Sequence, residues 1–361
     1  MEAPIAVGDM EWGECVLPTA PPPPALAAQL QKSIGAVPGW LSRLGRSPWI
    51  AGVASELLAN PYAYVSPKLV DLIALVVSQD NSCRYCYGVQ RAVLKIQGYS
   101  DEDLDRLLRD FHLAGVAPAE RAALDLARRV SRADPRPGRR EFEAVVAAGL
   151  GREAAVEVAA MAAAATFMNR VSTLLALPPE RLEKVVEKPL FRLLRPLMAW
   201  RMRAKPRVPE PPPHPNDGPY ARVIAALGDS PSAGFMRRTV DGAWASSVLP
   251  RRTRALMLAV IAKALGCAYA EAEARALLGG EGFGPGDVDQ VLNTLASPRL
   301  DPREARLVPF ARETVRYQPA AIQKRVRAVT EGFSADEVLD AVGFAALANA
   351  LCRLSVVLDA C

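Results

Sequence analysis

From about Ser47 onward, apolar residues recur three and four positions apart, and Ala, Leu, Val, Glu and Arg dominate. Runs of β-branched residues in strict alternation are scarce, so the pattern predicts a nearly all-helical chain. Helix starts are marked. Ser66-Pro67 pairs an N-cap with proline at the first helical position, and Ser100-Asp101-Glu102-Asp103 caps a further helix. Gly98 and Gly149 fall where helices should stop. Proline breaks the pattern twice. Pro21 to Pro24 form a polyproline run inside residues 1–36, whose composition predicts a disordered leader. Pro206 to Pro219, with Pro211-Pro212-Pro213 and Pro215, cannot be helix.

The second break separates two parts of similar size, and the expected organisation is a tail at 1–36, a helical domain at 37–188, a basic, proline-rich linker at 189–218 and a second helical domain at 219–361. The two parts look like repeats. Ser66-Pro67-Lys68-Leu69-Val70-Asp71 resembles Leu249-Pro250-Arg251-Arg252-Thr253-Arg254, and Cys83-Arg84-Tyr85-Cys86 resembles Cys267-Ala268-Tyr269-Ala270. Gln97-Gly98-Tyr99-Ser100 resembles Glu281-Gly282-Phe283-Gly284, and Asn169-Arg170-Val171-Ser172 resembles Cys352-Arg353-Leu354-Ser355. The matches keep one order, as a tandem duplication would. Two such bundles, of about six helices each, could bury their apolar faces against each other as a built-in pseudo-dimer.

Composition narrows the classes. The chain has 361 residues, 50% hydrophobic and 23% charged, as in a globular protein. A net charge of +5 is mild for this length and does not argue for nucleic acid. No uninterrupted apolar run reaches the ~18 residues of a membrane span. The N-terminus has neither a basic start nor an apolar core, so no signal peptide is expected. Six cysteines are too sparse for a disulfide-stapled secreted domain, and the expected compartment is a reducing cytoplasm. The segment Phe191 to Lys205 alternates arginines with large apolar residues. A membrane-surface helix, which Pro196 would kink, is the functional reading. An inter-repeat connector packing its apolar side on the two domains is the expected one.

The chemistry concentrates at Cys83-Arg84-Tyr85-Cys86. Two intervening residues place both sulfurs on one helical turn, within reach of a small disulfide. Asn81-Ser82 reads as a turn and N-cap, which puts both cysteines in the first turn of the next helix. There the helix dipole favours a thiolate by about 0.3–1 kcal/mol. Stronger activation needs a nearby cation, for which Arg84 is the local candidate. A redox dithiol is the leading reading. Zinc would need two more ligands, and no second such pair exists; two buried small hydrophobes remain the plain alternative. His112 and His214, the only histidines, fall in connecting segments.

Dithiol chemistry also moves protons. Asp71, twelve residues before Cys83 in an otherwise apolar run, is the first candidate carrier. Burial would raise its pKa, whereas a solvated position would leave it a plain surface charge. Gln90 follows Cys86 by four and shares its helix face, but it cannot titrate. Tyr85 and Tyr87 flank Cys86 and are expected to pack.

At these residues the sequence resembles the carboxymuconolactone decarboxylase, or AhpD-like, family of all-helical proteins. The resemblance is carried by Ser66 to Val77, by Asn81-Ser82-Cys83-Arg84-Tyr85-Cys86 with Gln90, and by Phe167-Met168-Asn169-Arg170-Val171. It covers most of 45–180, with a degenerate echo in 225–361. It implies an all-α fold of two AhpD-like bundles. It also implies a redox pair in which Cys86 attacks and Cys83 resolves, an acid at Asp71 and a proton-moving histidine where Gln90 stands. The chain departs from that pattern in having Asp for Glu and Gln for His. In the second repeat Ala255, Ala270 and Ala274 replace the acid, the second cysteine and the histidine, so 219–361 is expected to be a structural or regulatory pseudo-domain with Cys267 as a buried small residue.

The function expected is a thiol-dependent oxidoreductase, peroxidase-like or a disulfide relay, needing no cofactor or metal. Its partners would be a small hydroperoxide or a thiol–disulfide partner protein, with neither nucleic acid nor membrane. A homo-oligomer is implied, in which the tandem chain replaces one dimer interface. The alternatives are a lyase acting on a small carboxylated metabolite and a non-catalytic interaction protein using the proline-rich segments.

Overall fold

The computed structural model describes residues 7–112, 114–133, 139–188, 191, 195–198 and 218–358. Most of the expected linker, with His214, lies outside the described residues. The described residues contain no strand. The tail and first repeat comprise α1 (Pro24–Ile34), α2 (Leu41–Leu44), α3 (Pro48–Leu58), α4 (Pro67–Asp80), α5 (Arg84–Gln97), α6 (Asp101–Arg109), α7 (Pro118–Arg132), α8 (Arg139–Val145), α9 (Arg152–Leu174) and α10 (Arg181–Val186). The second repeat comprises α11 (Ala221–Ala226), α12 (Pro231–Ala245), α13 (Arg251–Leu265), α14 (Ala268–Gly280), α15 (Pro285–Thr294), α16 (Glu304–Glu313), α17 (Pro319–Val329) and α18 (Ala335–Val357). The chain is therefore all-α, in two tandem helical units.

The helix ends form for the reasons the sequence suggests. Ser66 Oγ accepts the Leu69 amide at 3.2 Å, with Pro67 at the first helical position. Ser100 and Asp103 close a reciprocal capping box. Gly98 ends α5 at φ 113°, and Gly149 breaks the turn before α9 at φ 95°; both are left-handed conformations that glycine adopts without a Cβ penalty.

The core is built on α9 and α18, each 23 residues long, which pack on each other across the two repeats. Both are rich in alanine, a strong helix former whose small side chain lets backbones approach closely. Both are buried nearly all round, so polar residues inside them must be satisfied by protein. By composition α18 is long and apolar enough to cross a membrane, but 94% of its apolar window lies inside the protein.

Those polar residues recur in register. Glu157 on α9 is fully buried and accepts the amides of Ala63, Tyr64 and Val65 at 2.7, 2.6 and 3.0 Å. It also accepts Ser230 Oγ, from the second repeat, at 2.8 Å. Asp340, at the matching position of α18, accepts the Leu249 amide at 3.3 Å and Ser246 Oγ at 2.9 Å. Trp49 Nε1, from the first repeat, reaches it at 3.0 Å. Each acid thus fixes the loop entering its own repeat and holds a side chain of the other.

Thirteen residues beyond each acid stands a buried arginine. Arg170 donates from Nε to the Thr314 carbonyl and from Nη2 to the Val315 carbonyl, each at 3.0 Å, at the C-terminal end of α16. Arg353 donates from Nε to the Ser131 carbonyl at 3.2 Å, in the last turn of α7. Each cation therefore meets the negative end of a helix in the other repeat. Burial disfavours both charges, the more so at Arg353, where Arg170 adds like-charge repulsion. Close packing adds to this lock: at Gly343 of α18 a Cβ would run into Ile50 and Trp49 of α3.

The leader departs from expectation. Among residues 7–36, Leu17 and Leu30 are only 1% and 2% exposed. Trp12 Nε1 donates to the Leu177 carbonyl at 2.9 Å, and the Val16 amide to the Leu175 carbonyl at 3.0 Å. The Gly13 amide reaches Gln323 Oε1 of the second repeat at 2.9 Å. Pro24 opens α1 rather than extending a polyproline helix. The tail is a strap over both repeats because its sparse large apolar residues find grooves to fill, which a composition average hides.

Replacing Arg353 by Met should cost about 3 kcal/mol, because the helix-end carbonyls it serves lose a buried charged donor. Arg106→Ala, which removes an exposed pair with Glu102 at 3.2 Å, should cost under ~0.5 kcal/mol. Urea unfolding of the two variants reads the difference; equal midpoints would remove the arginine lock from the account.

Candidate active site

The turn between α4 and α5 presents the two thiols. Asn81 ends α4, and Ser82 takes a left-handed φ of 50°. Cys83 then takes φ −88°, ψ 94° and itself N-caps α5, in place of the expected Ser82. Its Sγ accepts the Cys86 amide at 3.3 Å. Only Cys86 lies in the first helical turn. Cys83 is fully buried and Cys86 partly exposed, and neither forms a disulfide.

A polar network from α9 backs this turn. Asn81 Nδ2 reaches Ser131 Oγ at 2.9 Å and Asn169 Oδ1 at 3.2 Å, while Asn81 Oδ1 accepts Arg170 Nη1 at 3.1 Å. Asn169 Nδ2 in turn donates to Ser78 Oγ at 3.1 Å. The guanidinium that joins the repeats therefore also anchors the turn carrying the thiols. Cys86 Sγ lies 3.6 Å from Ser172 Oγ.

The two thiols are driven apart electrostatically. Burial raises Cys86, but the hydrogen bonds of Cys83, Ser172 and Asn169 outweigh it, and its pKa falls below the ordinary 9.0. Burial pushes Cys83 well above that value, and its side-chain interaction with the Cys86 thiol pushes the same way, against the smaller opposite pull of the Cys86 amide. A thiolate on Cys86 facing a protonated Cys83 is the arrangement that attack by one sulfur and resolution by the other require. Arg84 takes no part. Its Nε donates to the Gly8 carbonyl at 3.2 Å, on the opposite side of α5.

The remaining expected site residues separate. Asp71 accepts a hydrogen bond from Gln97. Gln97 stands eleven residues beyond Cys86, ~16 Å along the helix. Asp71 is thus at the far end of the antiparallel hairpin, not beside the dithiol. Gln90 stays on the Cys86 face one turn on, and its Oε1 is buried with no hydrogen-bond partner. Tyr85 packs as expected and donates to Glu180 Oε1 at 2.8 Å. Asn169 and Ser172 were not visible as site residues; they showed only as part of the repeat signature.

Two surface clefts of about 320 and 380 Å³ open elsewhere, the first along the outer face of α5 under Gly8 and Asp9, the second around Lys68 and Tyr99. Neither includes a thiol. Among the described residues no group of three or more His, Cys, Asp or Glu is placed to hold a metal ion.

The second repeat keeps the geometry without the chemistry. Cys267 N-caps α14 at φ −89°, ψ 94°, matching Cys83. Ala270 and Ala274, at the Cys86 and Gln90 positions, are fully buried. Cys267 is buried as expected, but it is disulfide-bonded and so more than a packing residue.

The profile of the carboxymuconolactone decarboxylase family matches twice, over residues 54–129 and 232–313. Each of the two repeats thus contains a segment that matches this family, consistent with a tandem duplication. The family supports AhpD-like or carboxymuconolactone decarboxylase-like chemistry in general terms. No curated protein matched the chain.

Thiolate fraction rises with pH, so iodoacetamide should label Cys86 through a midpoint below 9.0. Cys83 and Cys15, both raised, and Cys352, pushed up to about 12, should label only at higher pH. Mass mapping of alkylated peptides across a pH series checks this; Cys83 labelling first would reverse the assignment.

Proposed function

We propose that the protein is a thiol-dependent oxidoreductase of peroxidase-like type. The carrying observation is the asymmetric dithiol: a fully buried Cys83 whose Sγ receives the Cys86 amide at 3.3 Å, beside a partly exposed Cys86 whose thiolate is favoured. The Cys86 thiolate attacks the outer oxygen of a hydroperoxide, an S–O bond forms, the O–O bond breaks, and the alcohol departs with a proton. Cys83 then attacks the resulting sulfenic acid, and a disulfide forms as water leaves. A dithiol reductant, small or protein-borne, returns the pair to its starting state by exchange.

A lyase reading is less well supported. Such chemistry needs a titrating group against the substrate. Asp71 lies at the far end of the hairpin with Gln97, and Gln90 carries no proton by titration.

Hydrogen peroxide at one equivalent should produce a Cys83–Cys86 disulfide, seen by mass spectrometry as a loss of two hydrogens. Cys86→Ser should abolish peroxide consumption, and Cys83→Ser should stop the reaction after one turnover with a trapped sulfenic acid. Unchanged consumption by Cys86→Ser would end the proposal. Gln90→His should raise turnover, because a positioned general acid–base is worth ~10²–10⁴-fold; a gain of at least about tenfold is expected in a steady-state assay.

A further inference from the structure

A buried serine inside a helix commonly satisfies its hydroxyl on its own backbone, by donating to the carbonyl four residues back. Ser355, fully buried on α18, does this: its Oγ donates to the Leu351 carbonyl at 2.7 Å. Ser78 on α4 does the same toward the Ala74 carbonyl at 2.6 Å. Ser172 is the counterpart of Ser355 on α9 and is equally buried. Its Oγ instead meets Cys86 Sγ at 3.6 Å, within reach of a hydrogen bond to sulfur. The two repeats therefore differ at both ends of one contact. Where the second repeat has Ala270, the serine turns back on its helix; where the first has Cys86, the serine turns to the thiol. The approach is fixed from behind. Asn169, one turn earlier on α9, meets Asn81 at 3.2 Å, and Arg170 meets it at 3.1 Å, so the helix carrying Ser172 is tied to the turn carrying the thiols.

We propose that Ser172 is a catalytic residue of the dithiol, the hydroxyl that holds Cys86 Sγ both as thiol and as thiolate. This deepens the oxidoreductase reading and rests on it. A hydroxyl both accepts and donates. Ser172 Oγ accepts the Cys86 S–H in the resting thiol. When that proton leaves to water on the exposed side of Cys86, the hydroxyl rotates and donates its own hydrogen to the sulfur. Hydrogen bonds to an ionised partner are the stronger kind, so the exchange favours the thiolate. The thiolate attacks the outer oxygen of a hydroperoxide: the S–O bond forms, the O–O bond breaks, sulfur is oxidised, the peroxide is reduced, and the alkoxide takes a proton from water. Ser172 keeps its proton throughout, so its part is to hold the sulfur and not to titrate. The titratable groups facing Cys86 are Cys83 and the Tyr85 phenol. Charged groups on the elements packed against α5 are engaged elsewhere. Arg170 on α9 holds Asn81, Asp80 on α4 pairs with Arg132 at 2.7 Å, and Glu183 on α10 stands against Gly88. On α5 itself, Arg84 reaches Gly8, and Arg91 pairs with Asp101 and Asp105, each at 2.6 Å.

The test is the pH profile of Cys86 alkylation in the full-length chain, with disulfide closure after one equivalent of hydrogen peroxide followed in parallel. Ser172→Ala removes the hydroxyl and leaves a strong helix former in an alanine-rich helix. The Cys86 midpoint should rise by about one pH unit, a loss of about tenfold in thiolate at any pH below the midpoint. Closure at pH 7 should slow about three- to tenfold and return to the wild-type rate once the pH exceeds the new midpoint. Ser355→Ala removes an equally buried serine whose hydroxyl is bonded to its own helix, and it should move neither readout. An unchanged midpoint in Ser172→Ala overturns the proposal, as do slow closure that no pH restores and an equal shift in Ser355→Ala. A wild-type chain that forms no Cys83–Cys86 disulfide overturns the oxidoreductase reading, and the catalytic role of Ser172 with it, even where the alkylation midpoint moves.

Discussion

Two guanidinium groups sit in the interior, and the protein is arranged around satisfying them. Arg170 and Arg353, buried near the C-terminal ends of the longest helices, have no room to reach solvent. Each donates from Nε to a carbonyl at the C-terminal end of a helix in the other repeat. A buried cation tolerates few alternative arrangements. That requirement fixes how α9 crosses α18, and with it the pairing of the repeats. Glu157 and Asp340, matched one level down the same helices, repeat the exchange with acids in place of bases. A pseudo-twofold molecule follows in which neither half is satisfied without the other.

The same constraint reaches the chemistry. Arg170 holds Asn81, Asn81 opens the turn, and the turn sets Cys83 at the cap of α5 with Cys86 one step into the helix. The second repeat holds Cys267 in nearly identical backbone angles, so the turn is a property of the scaffold and not of the second sulfur. What differs is what stands three residues on: a thiol in one repeat and alanine in the other. One half has kept the reactive pair and the other the packing.

Helix identities, several of their ends and the duplication were legible in the sequence because they are local. Ser66-Pro67, the Ser100 box and Gly98 each act within one turn of chain. The position of Asp71 was misleading for an equally physical reason. The twelve residues from Asp71 to Cys83 look close, but Asp71 and the dithiol sit near the starts of two antiparallel helices, so the hairpin carries them to opposite ends. The strap at 7–36 was hidden because isolated Trp12, Leu17 and Leu30 are invisible to composition and become anchors only where the folded surface offers a groove. The bond from Arg170 to Asn81 was hidden because its partners stand 89 residues apart in the chain. Tertiary partners of this kind leave no spacing to read.

A dithiol differs from a pair of buried cysteines in one property: it exchanges electrons reversibly. The most direct measurement is equilibration of the intact protein across a series of glutathione or dithiothreitol redox buffers at fixed pH, with the Cys83–Cys86 state quantified by mass. The account predicts a single reversible two-electron transition inside the range of about −270 to −120 mV spanned by catalytic dithiols. A pair that stays reduced across the whole series, or that pairs with other cysteines instead of with each other, would contradict it.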